Sequence, residues 1–329
     1  MKILVDSFNR KINYLRISIT DRCNLRCIYC MPFEGVTKTR HGEILRYEEI
    51  LRVSEVAVKK GIAKVRVTGG EPLVRRGVVD LIRSLSMIRG VMDLSLTTNG
   101  ILLQDFATDL FDAGLHRINV SMDSLNRNKF RKITGGGDLE TVWKGMENAM
   151  RVGFSPIKIN TVIIKGVNDD EVIDFARLSI DNPYHVRFIE LMPIGSNGKW
   201  NTRKYVSSAE VRDRIQSFGK LLPVDKKERG GPAQMFKFGG AQGEVGFISP
   251  FSEHFCASCN RLRLTADGKL RTCLFSNEEV DLKPALRESI DNSQLERLID
   301  LAISNKAEKH HLGEKTSKKC FRNMSAIGG

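Results

Sequence analysis

Six short segments rich in strand-forming residues recur along the chain, at Tyr14–Thr20, Lys64–Thr68, Asp93–Thr98, Arg117–Met122, Ile157–Ile164 and His185–Leu191. Between them apolar residues return at helical spacing, as Ile50, Val53 and Ala57 do, which predicts helices at Tyr47–Lys60, Val78–Ile88, Leu139–Val152 and Glu171–Ser179. Strands and helices in alternation specify βαβ units, and therefore a parallel sheet with right-handed crossovers. Periodicity alone leaves open whether six such units close a barrel or stop short of it.

Polar, Gly- and Pro-rich stretches follow the strand ends: Thr68-Gly69-Gly70-Glu71-Pro72, Thr98-Asn99-Gly100, Ser121-Met122-Asp123-Ser124 and Met192-Pro193. Barrels of this class place their sites there, so the C-terminal ends of the strands form the expected active face. Beyond Gly195 the alternation lapses. Ser207-Ser208-Ala209-Glu210 has the form of a capping box and opens a helix to about Phe218. The stretch Arg229–Gly246 is glycine-rich with little regular pattern, and the chain from Asn305 is basic and turn-prone. A barrel core over 1–195 and a smaller C-terminal region over 196–329 are expected.

Composition narrows the class. The 329 residues are 41% hydrophobic and 28% charged, which excludes disordered and fibrous proteins. The longest unbroken apolar run is five residues, Cys27 to Met31, far short of the ~20 that a membrane span needs. With no apolar leader in the first ten residues, a cytoplasmic location without membrane contact is expected. Lys and Arg number 52 against 39 Asp and Glu, and the net charge of +13 calls for an anionic partner.

Seven cysteines are too few for a disulfide scaffold of this length. Six of them form two triplets, Cys23, Cys27 and Cys30 spaced C-x₃-C-x₂-C, and Cys256, Cys259 and Cys273 spaced C-x₂-C-x₁₃-C. A structural zinc site wants four closed ligands, for which His254 and His41 are the nearest additions. A [4Fe–4S] cluster held by three thiolates keeps one iron open for a small molecule. Spacing alone allows both. Cys320 stands apart and is read as a non-ligand thiol, and His310-His311 as exposed residues of a basic tail. No G-x-x-x-x-G-K-[ST] loop occurs, so a bound nucleotide has to be held by side chains.

The first triplet lies directly after the first strand, in Thr20-Asp21-Arg22-Cys23-Asn24-Leu25-Arg26-Cys27-Ile28-Tyr29-Cys30-Met31-Pro32, and Gly69-Gly70-Glu71-Pro72 follows the second. In both, the sequence resembles the radical S-adenosylmethionine (SAM) superfamily. Leu15-Arg16-Ile17-Ser18, the stretch from Ser249-Pro250-Phe251-Ser252-Glu253-His254-Phe255-Cys256 to Asp267-Gly268-Lys269, and the terminal Gly328-Gly329 resemble that superfamily's GTP 3′,8-cyclase family of molybdenum cofactor biosynthesis. Leu25 stands where that family leads one to expect phenylalanine, and Lys199–Arg229 carries no family motif.

The resemblance implies a partial, open (βα)₆ radical SAM barrel with a smaller C-terminal cluster-binding region. It implies two [4Fe–4S] clusters, one on Cys23, Cys27 and Cys30 and one on Cys256, Cys259 and Cys273, with SAM on the open iron of the first and the guanine edge on that of the second. Tyr29, Gly70, Ser121 and Met192 would lie along SAM. Lys64, Arg66, Lys158 and Arg187 would engage the triphosphate of GTP, and Thr97 would line the nucleotide site. Arg16, Arg261 and Arg263 would surround the product-forming end and receive the Gly328-Gly329 tail. A 5′-deoxyadenosyl radical would take the ribose 3′ hydrogen and the ring would close onto guanine C8. The implied partners are GTP, a downstream cyclic pyranopterin monophosphate synthase and an electron donor of unstated identity, with a homodimer allowed and nucleic acid not expected. The rival readings are another two-cluster radical SAM enzyme such as a peptide maturase, and a basic zinc protein that binds nucleic acid.

Overall fold

Six parallel strands, neighbours in chain order, form the centre of the sheet: β1 (Tyr14–Ser18), β2 (Lys64–Thr68), β3 (Asp93–Thr98), β4 (Arg117–Ser121), β5 (Ile157–Ile163) and β6 (Tyr184–Glu190). The structure is a computed structural model, and it describes residues 3–31, 38–194, 202–225, 231–288, 291–310, 320 and 322–328. Helices α1 (Tyr47–Lys59), α2 (Val78–Ser86), α3 (Leu103–Asp112), α4 (Arg127–Thr134), α5 (Leu139–Arg151) and α6 (Val172–Asp181) fill the connections. After α7 (Ser208–Phe218) come β7 (Leu221–Pro223), β8 (Gln234–Phe238) and β9 (Glu244–Ile248), and then β10 (Arg261–Leu264), β11 (Lys269–Arg271) and β12 (Val280–Asp281). Three helices end the chain: α8 (Lys283–Glu288), α9 (Ser293–Ser304) and α10 (Met324–Ile327).

All twelve strands join one sheet, in the order β12-β11-β10-β1-β2-β3-β4-β5-β6-β9-β8-β7. Its two edge strands, β12 and β7, are not paired with each other, so the barrel is open and mostly parallel. The C-terminal strands extend the central sheet on both flanks: β10 adds in parallel to β1 and β9 in parallel to β6.

Side-chain alternation sorts each central strand into two faces. Leu15 and Ile17, Val65 and Val67, Leu94 and Leu96, Ile118 and Val120, Ile157 and Ile159, and Val186 and Phe188 pack against the helices in one hydrophobic core. The alternate positions, among them Arg16, Lys64, Arg66, Thr97, Lys158 and Arg187, face the inside of the open barrel.

Two predicted features differ from what the chain builds. The glycine-rich stretch expected to be irregular contains the antiparallel pair β8 and β9, where glycine serves packing: a Cβ on Gly246 would lie 2.6 Å from Met235 Sδ. Only half of the capping box forms. The Ser207 hydroxyl accepts from the Glu210 N–H at 3.1 Å, while the Glu210 carboxylate turns to Arg214 at 2.5 Å. Helices α3 and α4 are additions. The second of these is highly charged and buries little beyond Phe130 and Ile133, and its cap by Asn126 and its stop at Gly135 (φ 68°) set its limits. Among the described residues no helix is long and apolar enough to cross a membrane.

Candidate active site

The inner face of the sheet encloses a cavity of about 500 Å³ lined by all six cysteines of the two triplets. The same wall carries Tyr29, Gly70, Ser121 and Met192, and also Arg16, Lys64, Arg66, Thr97, Lys158, Arg187, Arg261 and Arg263. Every site residue that the family resemblance implies, apart from the terminal glycines, thus opens onto one space, as does His254, whereas His41 does not line it. Gly328 approaches it through Arg263, and Gly329 lies outside the described residues.

The first triplet sits on the loop after β1, which is held by its neighbours' backbone. Arg26 N–H donates to Thr134 O at 2.8 Å and Ile28 N–H to Ile133 O at 2.9 Å, so the end of α4 supports the loop. From the other side Gly70 N–H donates to Thr20 O at 2.6 Å and Glu71 N–H to Arg22 O at 2.8 Å. Only glycine permits this approach, because a Cβ on Gly70 would stand 2.3 Å from Arg22 O. The Glu71 carboxylate accepts from Thr98 Oγ1 at 2.8 Å and from the N–H groups of Asn99 and Leu73 at 2.7 and 3.1 Å, and burial raises it to about 7. Tyr29 donates its hydroxyl proton to Asp123 at 2.7 Å, and Val162 N–H donates to the same carboxylate, which burial raises to about 6. Leu25 is buried beside Gly137.

The thiols of this triplet are electrostatically coupled to one another. Burial pushes all three up, Cys30 to about 12, so in the metal-free protein they stay protonated and need a cation to ionise. Ser325 of α10 lines the same cavity as Cys30, which brings α10 over this site.

The second triplet lies across the cavity on two segments flanking β10. Cys256 opens a single 3₁₀ turn, Cys256–Ser258. Its approach is fixed by the buried Glu190, whose carboxylate accepts from the N–H groups of Phe251 and Ser252 at 3.0 Å, from Ser208 N–H at 2.9 Å and from Tyr205 Oη at 3.0 Å. Burial raises Cys256 as it does the first triplet, but at Cys259 the charge environment is reversed. Burial opposes ionisation of the Cys259 thiol, but the Arg261 guanidinium and the Lys306 ammonium outweigh it and bring it down to about 7. Among the described residues no three His, Cys, Asp or Glu side chains converge in the geometry of a single metal ion.

Cations line the strand wall between the triplets. Arg263, Arg16 and Arg66 are direct neighbours on β10, β1 and β2, and Arg261, Tyr14 and Lys64 form the row beside them. At the strand spacing of about 5 Å, two like charges repel by on the order of 3 kcal/mol at an effective dielectric of about 20. Burial and the neighbouring guanidiniums accordingly lower Arg16 well below its ordinary value, and burial foremost brings Arg263 and Arg187 to about 10. Arg187 Nε, Thr97 Oγ1 and Asn160 Oδ1 are buried without a hydrogen-bond partner among the described residues. Such a wall suits a ligand that brings several negative charges together with acceptors for Arg187 and a donor for Asn160.

Pattern reading missed Glu71, Asp123, Arg117 and Lys306 as site residues. Arg117, ion-paired to Asp93, obeys the same period-two rule as Arg66 and was findable by it. Nothing local distinguishes Lys306 from its basic neighbours. His310, expected to be exposed, is half-buried in the cavity wall, with Nε2 2.9 Å from Pro250 O and its ring 4.9 Å from that of Phe275. Composition therefore misstates the exposure of His310. His311 lies outside the described residues. Cys320 is buried outside the cavity, with its sulfur 3.4 Å from Arg271 Nη2.

An open parallel barrel with a C-x₃-C-x₂-C loop after its first strand defines the class of the radical SAM superfamily, and residues 17–179 match the sequence profile of that superfamily. Residues 184–312 match the profile described as Molybdenum Cofactor Synthesis C. The chain belongs to the GTP 3′,8-cyclase family. It is 51% identical over 325 residues to the GTP 3′,8-cyclase of Pelotomaculum thermopropionicum, covering 98% of this chain and 99% of that protein. The cyclase of Thermodesulfovibrio yellowstonii is likewise 51% identical, over 326 residues with the same coverage. Among solved structures, SuiB of Streptococcus suis bound to S-adenosylmethionine superposes with a TM-score of 0.63 at 16% identity. That match covers 85% of this chain, which spans 64% of the SuiB chain, and it shows the shared fold.

Proposed function

We propose that this chain converts GTP to (8S)-3′,8-cyclo-7,8-dihydroguanosine 5′-triphosphate, an early step of molybdenum cofactor biosynthesis. The observation that carries the reading is the single cavity with a cysteine triplet on either side and a cationic strand wall between them. Cys23, Cys27 and Cys30 would hold a [4Fe–4S] cluster whose fourth iron is left to SAM, and Cys256, Cys259 and Cys273 a second whose fourth iron is left to the guanine edge. The donor sets fit: each offers three thiols that line one cavity. When bound, the first cluster and SAM supply the hydrogen-abstracting radical.

The chain's own work is binding, orientation and exclusion of water. Gly70, Ser121, Met192 and the Tyr29 backbone would border SAM. Lys64, Arg66, Lys158 and Arg187 would hold the triphosphate, with Thr97 beside the nucleotide. Arg16, Arg261 and Arg263 would surround the ribose and guanine, with Gly328 held against them by its carbonyl. The product would pass to a cyclic pyranopterin monophosphate synthase, and the reducing electrons come from a donor outside this chain. Anaerobic incubation with SAM, reductant and GTP, followed by isolation of the nucleotide, tests the reading. Quantitative recovery of intact GTP from protein that holds both clusters and cleaves SAM overturns it.

A further inference from the structure

One buried cation has no part in the scheme above. Lys306, just after α9, is 3% exposed. Its Nζ donates to Thr272 O at 2.5 Å and to Arg261 O at 3.4 Å and lies 3.6 Å from Cys259 Sγ. Thr272 precedes Cys273, so one ammonium group spans the two segments that carry the second triplet. The backbone beneath it is held as firmly. Arg10, paired with Asp6 at 2.5 Å, donates to Lys306 O at 3.4 Å, to Ala307 O and Glu308 O at 2.7 Å, and to Cys256 O at 3.0 Å.

Burying a lysine is costly unless an opposite charge meets it. Among the described residues Lys306 forms no ion pair with a carboxylate, and the anionic groups it can meet are the sulfurs of the triplet. We propose that Lys306 is a positioning residue of the second cluster: it sets the separation of the Cys259 and Cys273 segments and places a fixed positive charge at the Cys259 corner. The proposal rests on the reading of this triplet as a cluster's ligand set. A positive charge and N–H donors beside a cluster sulfur withdraw electron density, which raises the cluster's reduction potential and makes its open iron a stronger acceptor for a heterocyclic ligand.

The test compares Lys306→Met, which loses charge and donors, with Lys306→Gln, which keeps a donor amide without the charge, in full-length protein reconstituted anaerobically. Iron and sulfide per chain, the rate of iron loss to a chelator, and the midpoint potentials from redox titration followed by electron paramagnetic resonance are measured. Wild type should hold about eight irons per chain. In Lys306→Met, iron loss from the second cluster should be about tenfold faster or more, while the first cluster keeps its potential. Lys306→Gln should retain the second cluster at a more negative potential. Wild-type potential and wild-type chelator rate in the glutamine variant overturn the proposal, even if the methionine variant fails to fold. A wild type that holds only four irons instead overturns the cluster reading itself, a failure seen without any variant.

Discussion

Gly70 has no room for a side chain, and the reason is the Arg22 carbonyl 2.3 Å from where a Cβ would be. Gly70→Ala should push the cysteine loop off the second strand at an overpacking cost of about 1–3 kcal/mol. Iron analysis should then show loss from the first triplet with the second retained, and an unchanged iron content would refute the packing argument. The cations obey a different logic, since a polyanionic ligand offsets the burial and mutual repulsion that lower Arg16 and Arg187. Arg66→Ala and Lys158→Ala should each remove a charge-assisted contact worth about 1.5–3 kcal/mol, roughly 10- to 150-fold in the Kd for GTP. Titration with guanosine is the control: equal losses for both ligands would place these residues away from the phosphates. Cys273→Ala should leave about four irons per chain and some SAM cleavage while stopping cyclisation. Normal product formation by that variant would exclude a substrate-binding role for the second triplet.

At the scale of elements, the last helix acts as a latch. Arg322 donates to both oxygens of Asp267 at 3.0 Å and to Glu279 at 2.7 Å, fixing the chain just before α10. Past α10, Gly328 adopts φ 69°, and its carbonyl accepts from Arg263 at 2.6 Å. A Cβ there would lie 2.6 Å from Thr68 Cγ2. Arg322→Ala, or deletion of 328–329, should therefore leave the iron content intact and suppress the cyclised nucleotide, with product chromatography as the measurement. A truncated chain that cyclises at the full rate would make the tail a passive end. Arg322 and Lys306 spend their charge on such internal contacts, and Arg10 of the N-terminal segment does the same.

For the molecule as a whole, the open barrel concentrates cations that the fold must hold against mutual repulsion. Polyanion binding should relieve it. At GTP concentrations 100 times Kd, linkage alone stabilises the folded state by about 2.7 kcal/mol. Thermal unfolding of the anaerobic protein should shift upward with GTP, in part with inorganic tripolyphosphate, and far less with guanosine. Guanosine matching GTP would show that base contacts, and not the cationic wall, dominate binding.

The sequence by itself determined the six central strands, because their β-forming residues stand between stretches of helical spacing, as in Lys64–Thr68 and Arg117–Ser121. It also determined the two triplets and the cationic strand positions, since ligand spacing and strand alternation are local properties. Other features were decided only when distant segments packed. The order of β7 to β12 on both flanks of the sheet was one, because pairing of β10 with β1 joins residues some 250 positions apart and no local period encodes it. Helices α3 and α4 were others, the latter set by its caps more than by an apolar stripe. The meeting of both triplets in one cavity, the burial of Lys306 against Cys259 and the return of the tail onto Arg263 belong to the same class. Each depends on which surfaces exclude water together, and that is a property of the folded chain.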